Sequence, residues 1–214
     1  MTLCTIVGMG LGIGLSVAKK FVSEGFDIAM ISRNETHLEN YVKILSEYGT
    51  KLSYSVADAG KKYRLLNALD RIAYGTDVLV YNAAVVEKSS FLDTDEERLS
   101  NDFNVNVIGA LIAAKSVIPL MKKRKKGTIL FTGGGFAHEP NPNYLSLSIG
   151  KAALLNLGMN LALEYEPLGI HTAVVSIYGK VELGTKYNPK IIADKFWEIH
   201  NQPKDKWDRE VHIK

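Results

Sequence analysis

Hydrophobic positions along the chain fall into short β-branched or apolar runs that alternate with longer stretches of helical period. That alternation is the pattern of βαβ units around a parallel sheet. It predicts seven strands: Leu3 to Val7, Asp27 to Ile31, Leu52 to Val56, Val78 to Tyr81, Thr128 to Thr132, Thr172 to Ile177 and a short Val211 to Ile213. The first six read mostly as near-continuous apolar runs, as strands covered on both faces do. Between the second and third strands, Leu38, Val42 and Leu45 share one face of a helix that Asn34 caps and Gly49 ends. Longer helices over about 101 to 121 and 148 to 166 carry small and apolar residues on more than one face, which predicts burial against a second subunit as well as against the sheet. A last helix begins at Pro189 and runs its apolar stretch from Ile191 to His200. No linker, internal repeat or low-complexity tract interrupts the alternation, so residues 1 to 214 are expected to form a single domain.

Composition narrows the class without changing it. With 214 residues, 46% of them hydrophobic and 23% charged, the chain is neither disordered nor a collagen or disulfide scaffold. Its 26 Lys+Arg against 23 Asp+Glu leave a net charge of +3, which calls for neither nucleic acid nor a membrane surface as partner. The one charge run, Lys122 to Lys126, falls at a helix C-terminus, where the macrodipole favours cations, and no aromatic residue is interleaved with it to stack on bases. A solvated helix end is the expectation there. The single cysteine, Cys4, has no partner for a disulfide and no neighbour at metal-ligand spacing, so no metal site is expected and a reducing, cytoplasmic setting fits. Neither a targeting segment nor a run near the roughly 20 apolar residues of a bilayer span is expected.

Chemistry enters with the glycines. Val7-Gly8-Met9-Gly10-Leu11-Gly12-Ile13-Gly14 joins the first strand to the first helix, and Gly8, Gly12 and Gly14 fit Gly-x-x-x-Gly-x-Gly. Such spacing allows a tight turn off the strand, close approach of a pyrophosphate, and a helix N-terminus whose amides face the phosphates. Gly10 and Ile13 belong to the same turn. At the end of the second strand stand Ser32 and Arg33, where an acidic residue would bind the ribose 2′-hydroxyl of NAD and repel a 2′-phosphate. Ser32 and Arg33 leave room and supply a cation, which favours NADP(H), with NAD(H) as the alternative if Arg33 merely points into solvent.

On these residues the chain resembles the short-chain dehydrogenase/reductase family over nearly its whole length. The resemblance implies a Rossmann-like, doubly wound α/β fold with strand order 3-2-1-4-5-6-7 and helices on both faces. It places Asp58 against the adenine, and Asn82, Ala83 and Ala84 along the cofactor ribose. Asn106 and Lys151 fall at catalytic positions, and Gly179 and Val181 on the cofactor after the sixth strand. It further implies hydride transfer between a nicotinamide and a carbonyl or alcohol substrate, and a homodimer or homotetramer packed through the two long helices.

Two positions depart from the family pattern. Leu147 stands four residues before Lys151, where the family carries its proton-transferring Tyr, and Gly134, within Gly133-Gly134-Gly135, stands where it carries Ser. Tyr144, about two helical turns before Lys151, is the first candidate replacement; His138 and Ser148 follow, and no replacement at all is the remaining reading. Without one, the chain is a catalytically weak or inactive NADP(H)-binding protein, a redox sensor or structural subunit. The three glycines offer either a nest of N–H groups for an oxyanion or only close packing of their loop. Ile177-Tyr178-Gly179 replaces the family's usual Pro-Gly, and the short stretch from Lys180 to Asn188 predicts an open site or one that a partner closes.

Overall fold

The computed structural model describes residues 2–214. Its seven strands are β1 (Leu3–Val7), β2 (Asp27–Ser32), β3 (Leu52–Val56), β4 (Val78–Tyr81), β5 (Gly127–Thr132), β6 (Ile170–Ile177) and β7 (Glu210–Ile213). They form one parallel sheet in the order β3-β2-β1-β4-β5-β6-β7. The helices are α1 (Ile13–Ser23), α2 (Glu35–Leu45), α3 (Lys62–Ile72), α4 (Glu96–Phe103), α5 (Gly109–Arg124), α6 (Leu145–Tyr165) and α7 (Pro189–His200). Strand order reverses between β1 and β4, so a crevice opens beyond their C-terminal ends, where open α/β sheets bind ligands.

Two apolar layers sandwich the sheet. One packs α1, α2 and α7 on Cys4, Ile6, Ile28, Met30, Val80 and Ala173, with Phe21, Phe26 and Trp197 meeting edge to face. The other packs α3, α5 and α6 on Val7, Leu79, Ile129, Phe131 and Val174. Burial holds the Cys4 thiol far above its usual proton affinity, so it is an inert core residue.

The expected strands appear within two residues, but β3 is not covered on both faces. It is the edge strand, and its LSYSV pattern is only partly buried, which explains the polar residues in it. Asn34 caps α2 by accepting from His37 N–H at 2.9 Å, and a 3₁₀ turn (Ser46–Tyr48) carries the chain to Gly49 at φ 73°. Helix α3, with Leu65, Ala68 and Leu69 on its buried face, fills the helical stretch that the alternation places between the third and fourth strands. The Lys122 to Lys126 run is not wholly solvated either. Arg124 donates to the carbonyls of Gly75 and Thr76 and pairs with Asp77 at 3.2 Å, which pins the end of α5 to the turn before β4.

The helical stretch 96–124 is continuous and, by length and a mean hydropathy of 1.6 over its best window, apolar enough to cross a membrane, contrary to the expectation that no segment would qualify. Half of that window is buried inside the protein against α3, α6 and the sheet, as in the core helix of an α/β layer. A π turn (Asn104–Ile108) divides it. The cause is local: the Tyr81 hydroxyl donates to the Val105 carbonyl, and the Gly109 N–H bonds instead to Asn104, one residue further back. A side chain at Gly109 would stand 2.2 Å from the Tyr81 hydroxyl, so the glycine and the tyrosine need one another. Replacing Tyr81 by Phe strips Val105 of its buried donor. Urea unfolding is expected to show a loss of about 1–3 kcal/mol, and an unchanged midpoint would refute this origin of the π turn.

Candidate functional site

At the C-terminal edge of the sheet, strand ends from β1, β4 and β5 are stitched by side chains. Gly8 leaves β1 at φ 88°, and a Cβ on it would stand 2.2 Å from the Ala83 backbone nitrogen, so only glycine lets the β1 and β4 turns touch. Asn82 bonds both ways: its Nδ2 donates to the Gly8 carbonyl at 2.9 Å, and its Oδ1 accepts from Thr132 Oγ1 at 2.9 Å. The Thr132 carbonyl in turn accepts from Lys151 Nζ at 2.6 Å. Lys151 is buried, and desolvation lowers its ammonium from 10.5 to about 8. At pH 7 this lysine still holds its proton, but gives it up far more readily than an exposed lysine does.

Two clefts adjoin this stitch. The first, about 290 Å³, is lined by Gly8, Ser32, Arg33, Asp58, Asn82, Ala83 and Ala84, seven of the expected cofactor residues. Asp58 is oriented there by the Gly60 N–H, which donates to its Oδ1 at 2.9 Å. The second, about 660 Å³, is lined by Gly12, Ile13, Ala84, Tyr144, Leu147, Lys151, Gly179 and Val181, together with Phe136, Glu139 and Tyr178. Between them lies the start of α1, whose Ile13 and Gly14 N–H groups find no acceptor among the described residues and whose Gly12 cap offers no side chain. A Cβ on Gly12 would meet nothing closer than Val181 at 4.0 Å, so the glycine leaves a backbone-lined concavity facing the clefts. The residues present thus fit a dinucleotide with its pyrophosphate on the helix N-terminus.

Some expected residues serve the site from behind. Gly14 lines neither cleft; its Cα packs α1 on the turn, with Met9 Cα only 3.2 Å from where a Cβ would be. Gly10 also stays out of the lining and offers its carbonyl to Leu15 N–H at 2.8 Å. Asn106 is buried in the π turn, where its Oδ1 accepts from Val85 N–H at 2.8 Å, while its Nδ2 has no partner. It thereby fixes the chain after β4, which lines both clefts, instead of lining them itself.

The replacement candidates separate clearly. His138 lies outside both clefts, with its Nε2 2.7 Å from Glu210 Oε1, because the 3₁₀ turn Gly135–Ala137 carries it toward β7. Ser148 is occupied as a helix brace, donating to the Tyr144 carbonyl at 2.8 Å and accepting from Asn141 N–H at 3.1 Å. Tyr144 alone of the three lines the larger cleft, with its ring stacked 5.5 Å from that of Phe136. The glycines form no nest: Gly133 gives its N–H to the Val175 carbonyl, Gly134 is extended, and none of the three has positive φ. They serve close packing, since a Cβ on Gly135 would stand 2.7 Å from the Tyr178 ring. Sequence reasoning overlooked Thr132 and Glu139 as site residues. Only the position of Thr132 at a strand's C-terminal end could have signalled it.

A model of the family described as short chain dehydrogenase matches residues 2–190. The chain belongs to the short chain dehydrogenase family. Dehydrogenase/reductase SDR family member 4 of Sus scrofa is 32% identical over 163 residues, covering 74% of this chain and 58% of that protein. The chain thus spans little more than half the length of this curated relative. A short-chain dehydrogenase from Rhodopseudomonas palustris superposes with TM-score 0.90 at 22% identity, covering 100% of this chain and 98% of that one. A short-chain dehydrogenase from Sphingobium yanoikuyae in complex with NADPH superposes at 0.86 and 21% identity, covering 99% and 87%.

Within this family member, the titration of Lys151 leaves a signature in stability. The unfolded chain holds that proton to about 10.5 and the folded chain to about 8, so between these values unfolding takes up a proton and stability rises with pH. Against Lys151→Met, the wild type is expected to gain roughly 3 kcal/mol from pH 8 to 10.5 in chemical denaturation. A gap that stays constant with pH would show that Lys151 is an ordinary exposed-type lysine.

Proposed function

We propose that the chain is an NADP(H)-dependent oxidoreductase acting on a carbonyl/alcohol pair, and that its proton step runs through Lys151 and Tyr144. The observation that carries this reading is the buried Lys151 ammonium, held by the Thr132 carbonyl at the wall of a 660 Å³ cavity that Tyr144 also lines. When bound, a nicotinamide supplies or accepts the hydride. The protein's own part is to seat the cofactor on Gly12 and the N-terminus of α1, and to present an acid or base to the substrate oxygen. Leu147 lines the same cavity and is buried but has no proton to give, and Gly134 has no hydroxyl; on this reading neither does the work that the family resemblance leads one to expect at its position. The Tyr144 phenol takes over the proton transfer, with the Lys151 ammonium in the wall of the same cavity. Tyr144→Phe is expected to lower kcat by about a hundredfold or more with NADPH affinity unchanged. Full activity in that variant would remove Tyr144 from the mechanism, and turnover absent from the wild type across aldehydes and ketones would turn the reading toward a non-catalytic cofactor-binding protein.

The preference for NADP(H) rests on Ser32 and Arg33 in the first cleft. Arg33 is exposed at its wall and makes no salt bridge among the described residues, so its guanidinium is free for a 2′-phosphate. Of the two acids that line this cleft, Asp58 accepts from the Gly60 N–H and Glu87 lies 3.8 Å from Arg98. The chain is expected to bind NADPH at least tenfold more tightly than NADH in fluorescence titration, and Arg33→Ala to lose most of that difference by weakening NADPH alone. Equal affinities in the wild type would assign the site to NAD(H). Solved neighbours hold NADPH in one case and NAD in another, so this preference rests on Ser32 and Arg33 alone.

A further inference from the structure

A second cluster of chemically capable side chains lies outside both clefts, at the far edge of the sheet. His138, Glu210 and His212 bring one ligand atom each within 4.8 Å of one another. Glu210 and His212 alternate along β7 and so project from the same face, while His138 descends on them from the turn after β5. Glu210 Oε1 is 2.7 Å from His138 Nε2, and Oε2 is 3.7 Å from His212 Nε2. Donor atoms bound at about 2.0–2.1 Å around a tetrahedral ion stand about 3.4 Å apart, so shifts of about an ångström in two half-exposed imidazoles convert this arrangement into a coordination shell.

The surroundings prepare these groups as ligands. His212 Nδ1 lies 3.0 Å from the Tyr178 hydroxyl, and with Nδ1–H donating to that oxygen in the metal-bound form, Nε2, the nitrogen facing Glu210, carries the lone pair. Ser176 Oγ donates to Glu210 Oε1 at 2.6 Å. The His138 ring lies nearly parallel to that of Tyr178, 6.2 Å away at 11°. Backbone pairing fixes the frame, with Ser176 beside His212 in the β6–β7 register and the Tyr178 N–H on the Ile213 carbonyl at 3.0 Å. The ammonium of Lys214, over the Tyr178 ring, opposes a cation, so binding here depends on direct ligation and not on net charge.

We propose that His138, Glu210 and His212 bind a zinc ion, with solvent completing the coordination. Two imidazoles and a carboxylate suit a borderline divalent ion, and the half-exposed histidines leave the fourth position open to water. The ion straps β7 to the turn Gly135–Ala137, which holds Phe136 and leads into Glu139, both in the wall of the larger cavity. Such a strap makes that wall stiffer in zinc than without it. The proposal stands independently of the oxidoreductase reading, because zinc binding needs no cofactor and no turnover.

The test is calorimetric titration of zinc chloride into the untagged full chain after chelator treatment, with Co²⁺ as a spectroscopic probe. One zinc per chain, a visible d–d band with Co²⁺ and a raised unfolding temperature are expected. Tyr178→Phe should weaken zinc by about tenfold, and His138→Ala and His212→Ala each by more, while His37→Ala, on the exposed start of α2, should change nothing. Circular dichroism of each variant confirms that it is folded. Absence of binding at millimolar zinc, or binding that survives both the His138 and the His212 substitutions, would overturn the proposal.

Discussion

A chain of hydrogen bonds running across the sheet holds the site together: Gly8 carbonyl to Asn82, Asn82 to Thr132, Thr132 carbonyl to Lys151. Each member belongs to a different element, and each is polar at a place where neighbouring residues are apolar. The three bonds satisfy groups that could not otherwise be buried, since an unpartnered polar atom at this depth costs about 1–3 kcal/mol. They also set geometry. The turn after β1, the floor of both clefts and the ammonium at the cavity wall are fixed relative to one another by contacts of 2.6–2.9 Å. Displacing any strand end by one residue would break at least one of them.

The same logic explains the irregular helix. A tyrosine at the end of β4 needs a buried acceptor for its hydroxyl, takes the Val105 carbonyl, and so shifts the helical ladder by one residue. That shift turns Asn106 toward the strand-end loop, where it holds Val85 in place. The π turn, Tyr81 and Gly109 are thus one device, and its output is the position of the loop that lines both clefts.

At Leu147 and Gly134, the two positions singled out in the sequence, the structure gives each residue a definite setting. Leu147 occupies cavity wall with an apolar side chain, and Gly134 stands beside Lys151, where a Cβ would be 3.6 Å from Lys151 Cε in ordinary contact. There is room for a β-carbon at 134, so glycine is not forced there by packing. Gly133 and Gly135, by contrast, are demanded by Val174, Ser176 and Tyr178 pressing on the loop. Sequence alone presented the three glycines as a unit, and only the packing separates them.

Much of this was legible in the chain itself. Strand positions followed from apolar runs, because a strand buried on both faces admits little else, and the turn at Gly8 to Gly14 followed from the rarity of residues that tolerate positive φ and leave a helix N-terminus bare. Ser32 and Arg33 were placed at the cofactor cleft by their position at a strand end alone. What the sequence could not decide were contacts between residues far apart in it. His138 reads as a candidate acid when seen near Lys151, yet it turns to Glu210, 72 residues away. Ser148 reads as a free hydroxyl, yet the helix start consumes it. The edge position of β3, the docking of Arg124 and the meeting of β7 with the turn after β5 have the same character. Local periodicity records which face of an element is buried, whereas the partner on that face is chosen by the sum of long-range packing, which no window of sequence contains.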